Sequence, residues 1–404
     1  MRVLLSTIGS RGEAQPMLAL AVRLREFGHA AVVCAPPDFA DRASALGVEY
    51  VPVGPTLRAT ARPGPEPTPE QRRALVDGTV AAQFEAVGAA AAGCEVVVGG
   101  GGLAIAARSI AESLAVPYVY VAFAPMTLPS PHHAPPVFGA AATDGDGDNA
   151  TAWHRDRAMW NGVWRAPLNA ARARRGLGEV DDVRDHLFTD RPWLAADPVL
   201  APWPGGPDLT VFQPGAWLLD DTRPLDRGLE AFLDAGDPPV YLGFGSARAP
   251  EGLVRAAIEA ARALGRRVVV SRGWADLRPV DDQPDCHSVG DVPHHALLPR
   301  VAAVIHHGGA GTTTAAARAG AAQVVVPQMF DQFYYARRVR ELGLGETATR
   351  VSELGTALAR ALAPATVATA RAVGARIVTD GADVAIARLL GTPKTVRADT
   401  RNSS

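Results

Sequence analysis

The stretch His306-His307-Gly308-Gly309-Ala310-Gly311-Thr312-Thr313-Thr314 joins an apolar strand, Val301 to Ile305, to a helix-compatible run, Ala315 to Ala319. Such a loop leaves backbone N–H groups unpaired at the start of a helix, where they and the helix dipole favour an anionic group such as phosphate. Its three glycines let the backbone approach a ligand without an intervening side chain, and its threonines can cap the helix or donate hydrogen bonds. The stretch therefore predicts a strand–loop–helix unit of an α/β fold that binds a diphosphate.

An ordinary strand-to-helix turn without a ligand is the alternative, because Gly-Gly followed by Thr suits a turn in any α/β protein. The tandem histidines favour the anion site. An imidazole at the mouth of the loop adds a donor that can be charged, and a hydrogen bond to a charged group is worth about 1.5–3 kcal/mol.

The length and composition limit the class of protein. A chain of 404 residues is too long for one core, so two domains of about 200 residues each are expected. A net charge of -2 provides no basic patch, which argues against nucleic acid as a partner. The cysteines Cys34, Cys94 and Cys286 lack any disulfide or metal-ligand spacing, which indicates a reducing cytoplasm.

The apolar segments of the sequence are all short. The run from Met1 to Thr7 is too short for a signal peptide and predicts a buried first strand. Elsewhere the apolar stretches fall below the roughly 18 residues that a membrane span requires. We therefore predict a cytoplasmic enzyme with no membrane insertion.

Short Val-rich runs alternate with helical patterns along both halves of the chain. In the first half, the predicted strands are Val3 to Ser6, Ala31 to Ala35, Val51 to Val53, Cys94 to Gly99 and Tyr118 to Ala122, and the predicted helices are Gln15 to Phe27, Phe39 to Leu46 and Leu103 to Leu114. In the second half, the strands are Val240 to Gly243, Val268 to Ser271, Ala303 to Ile305 and Val324 to Val326, and the helices are Glu251 to Leu264 and Tyr334 to Leu342. This alternation predicts an α/β protein with two Rossmann-like domains, each built on a parallel sheet.

Prolines and glycines in Ala196 to Pro207 suit an extended hinge between the halves. The predicted organisation is an N-terminal domain over residues 1–205, a linker over 206–221, a C-terminal domain over 222–392 and a disordered tail over 393–404. Mobile segments are expected at Pro63 to Pro69 and Pro129 to Asn149.

The alternating aspartates in Asp144-Gly145-Asp146-Gly147-Asp148-Asn149 are similar to the start of a calcium-binding EF-hand loop. Asn149 stands where the turn glycine belongs, and Arg155 stands where the closing glutamate belongs. No DxD-like pair follows a credible strand elsewhere. We therefore predict no metal site.

A second turn, Gly9-Ser10-Arg11-Gly12-Glu13, follows the first strand and opens the first helix. It does not spell GxGxxG, and no acidic residue near Ala35 stands ready for a ribose, so NAD binding is disfavoured. In the functional interpretation, Arg11 reaches toward an anion across a cleft and Glu13 points its carboxylate at a substrate hydroxyl. In the alternative, which the turn taken alone favours, Glu13 complements the helix dipole and Arg11 is solvated.

Longer motifs occur in order over nearly the whole chain. They are Gly9 to Pro16 (GSRGEAQP), Cys34 to Asp38 (CAPPD), Val51 to Pro55 (VPVGP), Trp193 to Leu200 (WLAADPVL), Val240 to Ser246 (VYLGFGS), Ser271 to Leu277 (SRGWADL), the histidine-glycine stretch, and Pro327 to Gln332 (PQMFDQ). With these motifs the sequence resembles inverting GT-B type antibiotic glycosyltransferases of the vancomycin (glycopeptide) group, which are related to sterol glucosyltransferases. The resemblance implies two Rossmann-like domains whose sheets face each other across a cleft.

The resemblance also implies the roles of individual residues. A nucleotide sugar lies against the C-terminal domain, the acceptor lies in the N-terminal domain, and the sugar is transferred with inversion. The implied nucleotide-sugar-binding residues are Ser10, Arg11, Gly245, Ser246, Trp274, Val292, His307, Gly309, Ala310, Gly311, Thr312 and Gln332, and the implied catalytic residues are Glu13 and Asp331. Trp274 as ordinary core and Asp331 as a helix cap remain alternatives.

One residue departs from the family pattern, because Glu13 stands where the usual acid of this turn is aspartate. The added methylene is expected to move the carboxylate by more than an ångström, and a misplacement of that size can cost about a hundredfold in rate. Glu13 is still the best candidate for the general base. With a reference pKa of about 4.3, it is expected to be ionised at neutral pH.

The resulting prediction is an inverting, metal-independent glycosyltransferase. It would use no cofactor beyond its co-substrate, a dTDP-sugar or UDP-sugar, and would glycosylate an antibiotic-type natural product, with a glycopeptide aglycone as the expected acceptor. A nucleotide-sugar epimerase on the same fold and a non-catalytic nucleotide-binding activator of another transferase remain alternatives. We expect a monomer or a weak dimer.

Overall fold

The computed structural model describes residues 1–58, 67–136 and 148–391. Residues 63–66 of the first predicted mobile segment and 137–147 of the second lie outside this range. The aspartates from 144 to 146 and the predicted tail over 393–404 lie outside it as well. No helix in the described ranges is long and apolar enough to cross a membrane.

The first sheet has six parallel strands in the order β3-β2-β1-β4-β5-β6. The strands are β1 Arg2–Thr7, β2 Ala30–Ala35, β3 Glu49–Pro52, β4 Val96–Gly100, β5 Tyr118–Ala122 and β6 Trp193–Leu194. The helices of this half are α1 Arg11–Glu26, α2 Ala40–Ala45, α3 Pro69–Ala90, α4 Ala107–Leu114, α5 Asn149–Trp160, α6 Ala166–Ala173 and α7 Val183–Phe188. The central strand β1 is buried from Val3 to Thr7, as expected for a parallel sheet covered on both faces.

The second sheet also has six parallel strands, in the order β12-β11-β10-β7-β8-β9. Its strands are β7 Val240–Gly243, β8 Val268–Ser271, β9 Cys286–Val289, β10 Ala303–His306, β11 Ala322–Val325 and β12 Gly345–Thr347. The remaining helices are α8 Arg227–Asp234, α9 Leu253–Ala263, α10 His294–Leu297, α11 Ala310–Arg318, α12 Asp331–Glu341, α13 Leu354–Ala361, α14 Pro364–Gly374 and α15 Gly381–Leu389. All nine predicted strands are present, with ends within two residues of those predicted.

Each sheet reverses its strand order once, between β1 and β4 in the first and between β7 and β10 in the second. Each thus has the strand order of a Rossmann sheet, and the predicted fold class is confirmed. In such sheets ligands bind beyond the carboxyl ends of the strands at the reversal. The turn Gly9 to Glu13 follows β1, and the histidine-glycine stretch follows β10, so both predicted motifs lie at these positions.

Three helices begin earlier than the sequence predicted. Helix α1 begins at Arg11, so Glu13 lies in its first turn. Helix α11 begins at Ala310 rather than Ala315, and helix α12 begins at Asp331 rather than Tyr334. The hydroxyls of Thr313 and Thr314 donate to carbonyls four residues back in or before α11, at 3.0 and 2.8 Å, so they do not cap the helix. Both threonines, which are weak helix formers, are buried in this helix.

The predicted hinge at Ala196 to Pro207 is a packed connection rather than a free extended linker. The buried carboxylate of Asp197 accepts hydrogen bonds from the amides of Val199 and Leu200 at 2.8 and 3.0 Å. It also accepts one at 2.8 Å from the amide of Val378, far along the chain. These bonds satisfy amides that an extended segment would leave to water.

The last described helix, α15, returns to the first half of the chain. It packs against α1, where Arg23 forms a two-pronged ion pair with Asp383 at 2.7 and 2.8 Å. Ala385 and Ile386 are fully buried in the same apolar cluster as the core of α1. Residues near the end of the predicted C-terminal domain therefore contribute to the packing of the N-terminal half.

Candidate active site

A cavity of about 1550 Å³ lies between the carboxyl ends of the two sheets and is lined by residues of both halves. Its lining includes thirteen of the fourteen predicted site residues: Ser10, Arg11, Glu13, Gly245, Ser246, Val292, His307, Gly309, Ala310, Gly311, Thr312, Asp331 and Gln332. The segments that follow β1, β7, β9, β10 and β11 bring these residues together from distant parts of the sequence.

Trp274 is the predicted site residue that does not line this cavity among the described residues. Its ring lies 6.0 Å from that of Phe39, which begins the approach to α2 in the other half. Its backbone N–H donates to the carbonyl of Gly245 at 2.8 Å. Trp274 therefore lies at the contact between the two halves, a position that resembles the alternative in which it is an ordinary packing residue.

The two adjacent histidines have different environments. His306 ends β10, is fully buried, and pairs through Nε2 with Oε1 of Gln323 at 2.9 Å. Its Nδ1 accepts the N–H of Gly308 at 3.1 Å, so Nε2 carries the proton and donates to Gln323. His306 therefore holds the turn in place, and only His307 lines the cavity.

His307 offers a neutral donor or acceptor to a ligand. Burial lowers its pKa from 6.5 to about 4, so the imidazole is uncharged at neutral pH, unlike the charged donor that the sequence allowed. Its Nδ1 is buried and has no hydrogen-bond partner among the described residues. A buried polar atom without a partner is costly, which favours a ligand group at this position.

The backbone of the same turn depends on glycine at position 308. Gly308 has a φ of +92°, and a Cβ there would lie 2.6 Å from Cγ1 of Val325. Helix α11 then begins at Ala310 with Gly309 as its N-cap and without a side-chain cap. Its first N–H groups are therefore left for other partners, as expected at an anion site.

Asp331 approaches this helix start from the first turn of α12. The backbone N–H of Ala310 donates to its carboxylate, which lowers the pKa of Asp331, but burial has the larger effect and raises that pKa from 3.8 to about 6. The preceding residue, Phe330, has a φ of +50°, a conformation unfavourable for a side chain of this size. Strained backbone thus places Asp331 beside the start of α11.

Gln332 has one of its two polar atoms already committed. Its Oε1 accepts the N–H groups of Gln328 and Met329, at 2.7 and 3.1 Å. These bonds order the loop before α12 and leave the side-chain amide N–H groups as the part of Gln332 that can face a ligand.

Glu13 faces the same cavity from the opposite half. Burial, followed by the negative charge of Asp331, raises its pKa from 4.5 to about 7, while the backbone of Glu13 and the hydroxyl and backbone of Ser10 act in the other direction. The carboxyl group is therefore only partly ionised at neutral pH, which corrects the expectation of full ionisation. A general base whose pKa lies near the working pH is well matched to accept a proton.

Arg11 reaches across the cavity, as the functional interpretation of its turn predicted, but it meets a carboxylate that the sequence analysis missed. Its guanidinium pairs with Asp291, next to Val292 in the second half. Arg223 pairs with the other oxygen of Asp291 at 2.9 Å and with Asp221, which in turn pairs with Arg42 at 2.7 Å. The ion pairs run from α2 through the connecting segment to the second sheet.

The wall of the cavity in the first half of the chain includes two stacked indole rings. Trp160 and Trp164 line the cavity and stack with centroids 6.1 Å apart at an interplanar angle of 29°. After Trp160 the helix widens into a π-helical turn, Asn161–Arg165, which contains Trp164 and is a feature common at functional sites. Trp153, in the same helix as Trp160, donates to the carbonyls of Ser130 and His133 and is not among the described residues that line the cavity.

A buried ion pair lies against Trp160 and also lines the cavity. Arg184 pairs with Asp156 at 2.6 Å, and its guanidinium lies 4.1 Å from the centroid of the Trp160 ring. No pattern in the sequence links these two charges, because α5 and α7 are separated by a further helix. The cation held against the indole fixes the position of the Trp160 ring in the cavity wall.

One group of metal-ligand type occurs in the described residues, at Asp281, Asp285 and Cys286. Arg262 donates to both carboxylates at 2.8 Å, so the guanidinium offsets one of their two negative charges and occupies their oxygens. None of these residues lines the cavity between the sheets.

The halves of the chain match two family models. Residues 3–130 match the glycosyltransferase family 28 N-terminal domain, and residues 256–390 match the C-terminal domain of the erythromycin biosynthesis protein CIII-like family. Among solved structures, the calicheamicin glycosyltransferase CalG4 superposes with a TM-score of 0.68 and 20% identity, over 98% of this chain and 99% of that chain. Two Rossmann sheets facing a shared cavity, with these matches, define a glycosyltransferase of the GT-B fold.

Closer relatives identify the family. Vancomycin aglycone glucosyltransferase from Amycolatopsis orientalis is 51% identical over 396 residues, which cover 96% of this chain and 97% of the relative. The dTDP-epi-vancosaminyltransferase of the same organism is 46% identical over 376 residues, 90% of each chain. Sterol 3-beta-glucosyltransferases are more distant matches. The chain belongs to the glycopeptide group of antibiotic glycosyltransferases, which confirms the family and the enzyme class predicted from the sequence.

Proposed function

We propose that this protein transfers a sugar, with inversion, from a dTDP-sugar or UDP-sugar to a hydroxyl of a glycopeptide aglycone. The observation that carries the proposal is the placement of Glu13 and the His307 turn on opposite walls of one cavity. Single displacement at an anomeric carbon needs the nucleophile and the leaving group on opposite faces of the sugar. The names of the vancomycin aglycone and dTDP-sugar relatives support the acceptor and donor classes.

The second half would hold the nucleotide sugar. The unpaired Nδ1 of His307 and the N–H groups that follow Ala310 at the start of α11 favour the diphosphate, with Gly245 and Ser246 beside it, while the N–H of Ala310 itself is bonded to Asp331. Val292 would contact the base, and Asp331 with the amide of Gln332 would hydrogen-bond the sugar. Trp274 is not among the described residues that line the cavity, so it would support the nucleotide pocket by packing against the residues that do.

Charge that develops on the leaving diphosphate would be stabilised by fixed donors. Helix N–H groups and the neutral His307 supply them without reorganisation, as in an oxyanion site. Arg11 would add a positive charge from the opposite wall. These groups can stabilise the leaving group without a divalent metal, so we propose a metal-independent reaction.

The first half would bind and activate the acceptor. Glu13 accepts the proton of the attacking hydroxyl, a contribution of about a hundred- to ten-thousandfold in rate. Its pKa of about 7 gives it a substantial ionised fraction at neutral pH. Trp160 and Trp164 would hold an aromatic or apolar part of the aglycone.

The broader organisation is proposed on the same basis. Residues 1–205 form the acceptor domain, 206–221 the linker and 222–392 the nucleotide-sugar domain, with α15 packed back onto α1. The enzyme would act in the cytoplasm, as a monomer or a weak dimer, on small-molecule substrates. The biosynthetic role of the close relatives supports this setting.

A donor and acceptor panel tests the proposal. The purified protein is incubated with vancomycin aglycone and either dTDP-glucose or UDP-glucose, and products are detected by mass spectrometry. Proton NMR of the product then gives the anomeric configuration, which should be opposite to that of the donor. A retained configuration would contradict the single displacement. Interconversion of nucleotide sugars without acceptor would favour an epimerase.

A further inference from the structure

The side chain of Glu13 lies in a slot between two glycines from different turns. A Cβ built on Gly9 would lie 2.6 Å from Cδ, 2.7 Å from Oε2 and 2.8 Å from Cγ of Glu13. A Cβ on Gly101, in the turn after β4, would lie 3.3 Å from the same Cγ. The glutamate chain therefore occupies the space that side chains at positions 9 and 101 would need.

The carboxylate at the end of the Glu13 side chain is also held by hydrogen bonds. The hydroxyl of Ser10 donates to Oε2 of Glu13 at 3.4 Å, and the backbone of Ser10 and of Glu13 itself hydrogen-bonds to the carboxylate. A glutamate three residues after an N-cap serine can reach back in this way in a capping box. The carboxylate is thus held close to the helix start, at the wall of the cavity.

We propose that Gly9 and Gly101 are positioning residues that fold the side chain of Glu13 back and so offset its extra methylene relative to aspartate. This inference rests on the proposed role of Glu13 as the base. A folded glutamate keeps its carboxylate near the start of α1, so neither a more distant acceptor nor a second base is needed. Gly9 has an ordinary negative φ, which allows alanine on backbone grounds and makes it the residue to test.

The kinetic test uses Gly9→Ala, with Gly12→Ala as the control for the position of Glu13. Gly12 lies in the same turn, but a Cβ there meets no protein atom within 4 Å, so Gly12→Ala leaves the Glu13 side chain in place. Gly9→Ala should push the Glu13 carboxylate out of the slot and lower kcat about a hundredfold, with little change in the Kd for dTDP or UDP. The acid limb of its pH profile should move from about 7 toward 4.5, because the displaced carboxyl group gains solvent. Gly12→Ala should keep the acid limb and the Tm of the wild type; because Gly12 lines the cavity, its kcat does not serve as the control.

A second measurement tests the contact between Gly9 and the Glu13 side chain independently of the proposed function. Gly9→Ala should lower the Tm when residue 13 is glutamate, and should do so much less in a Glu13→Ala background, where no Cγ is present. Equal losses in both backgrounds, or a Gly9→Ala enzyme with an unchanged rate and pH profile, would overturn the inference. If Glu13→Ala alone keeps full transfer, the base assignment fails, yet the Tm coupling still shows whether the slot holds the side chain.

Discussion

The guanidinium of Arg11, in the first turn of α1, donates a hydrogen bond to the carboxylate of Asp291 on the opposite wall of the cavity. The two residues are 280 positions apart in sequence, and Arg223 pairs with the second oxygen of Asp291. This contact joins the two halves of the chain at the wall of the cavity. Arg11 is thus held by a carboxylate that a diphosphate would have to compete with.

Asp291→Asn tests the contribution of this contact. The side chains of Arg11 and Asp291 are 39% and 42% exposed, so the pair should contribute less than about 1 kcal/mol to the free energy of unfolding. Freed from Asp291, Arg11 should bind a diphosphate more readily, which predicts a lower Kd for dTDP or UDP at low salt. Urea denaturation and titration calorimetry measure the two quantities. A loss of stability above 3 kcal/mol would show that the network is buried.

The pKa of Glu13 gives opposite pH trends for activity and stability. Because this carboxyl group is protonated more readily in the folded protein, its contribution to stability is fully present below pH 4.5 and is lost as pH rises through about 7. Over the same interval kcat/KM should rise as the base ionises. Thermal unfolding of the wild type and of Glu13→Gln between pH 4.5 and 8 measures how stability changes with pH. Glu13→Gln should remove the part of this pH dependence that the titration of Glu13 causes. An unchanged slope would place the titration elsewhere.

His307 should bind the donor as a neutral group. With its pKa lowered to about 4, it should take up no proton when dTDP or UDP binds at pH 7. His307→Ala should weaken binding about tenfold or more, since a hydrogen bond to a charged group is worth about 1.5–3 kcal/mol. Calorimetry in buffers of different ionisation enthalpy measures both effects. A proton taken up per nucleotide bound would mean that an imidazolium forms.

Trp160 should affect the acceptor and not the donor. Trp160→Ala removes one of the two stacked indole rings and further exposes the Arg184–Asp156 pair, so KM for the aglycone should rise at least several-fold. The Kd for dTDP or UDP should stay as in the wild type. Trp160→Phe, which keeps an aromatic face, is the matched variant and should recover part of the lost affinity. Equal effects on donor and acceptor would indicate a general loss of structure.

Much of the fold follows from local sequence. Buried parallel strands are nearly continuous apolar runs, so each predicted strand was found, and glycine-rich turns marked the two strand ends at which the cavity forms. Three short strands were missed: β6, β9 and β12. Strand β6 has only two residues, too few for a pattern, and β9 and β12 are short strands with polar residues, such as His287 and Ser288 in β9.

The site could be predicted only in part. All its predicted members except Val292 stand in motifs that the chain shares with the family it resembles. The residues that set the chemistry of these members could not be predicted. Asp291 contacts Arg11 only after both halves have folded. The raised pKa of Glu13 likewise comes from burial and from the charge of Asp331 in the other half. The different roles of His306 and His307 follow from their placement, since His306 is the last residue of β10 and is buried against Gln323.

Replacing Glu13 by glutamine tests the central assignment most directly. The variant keeps nearly the same size but cannot accept the proton, so its transfer rate should fall by about a hundred- to ten-thousandfold. Nucleotide binding depends on the opposite wall, so the Kd for dTDP or UDP should be unchanged. A Glu13→Gln enzyme that transfers sugar at the wild-type rate would contradict the account.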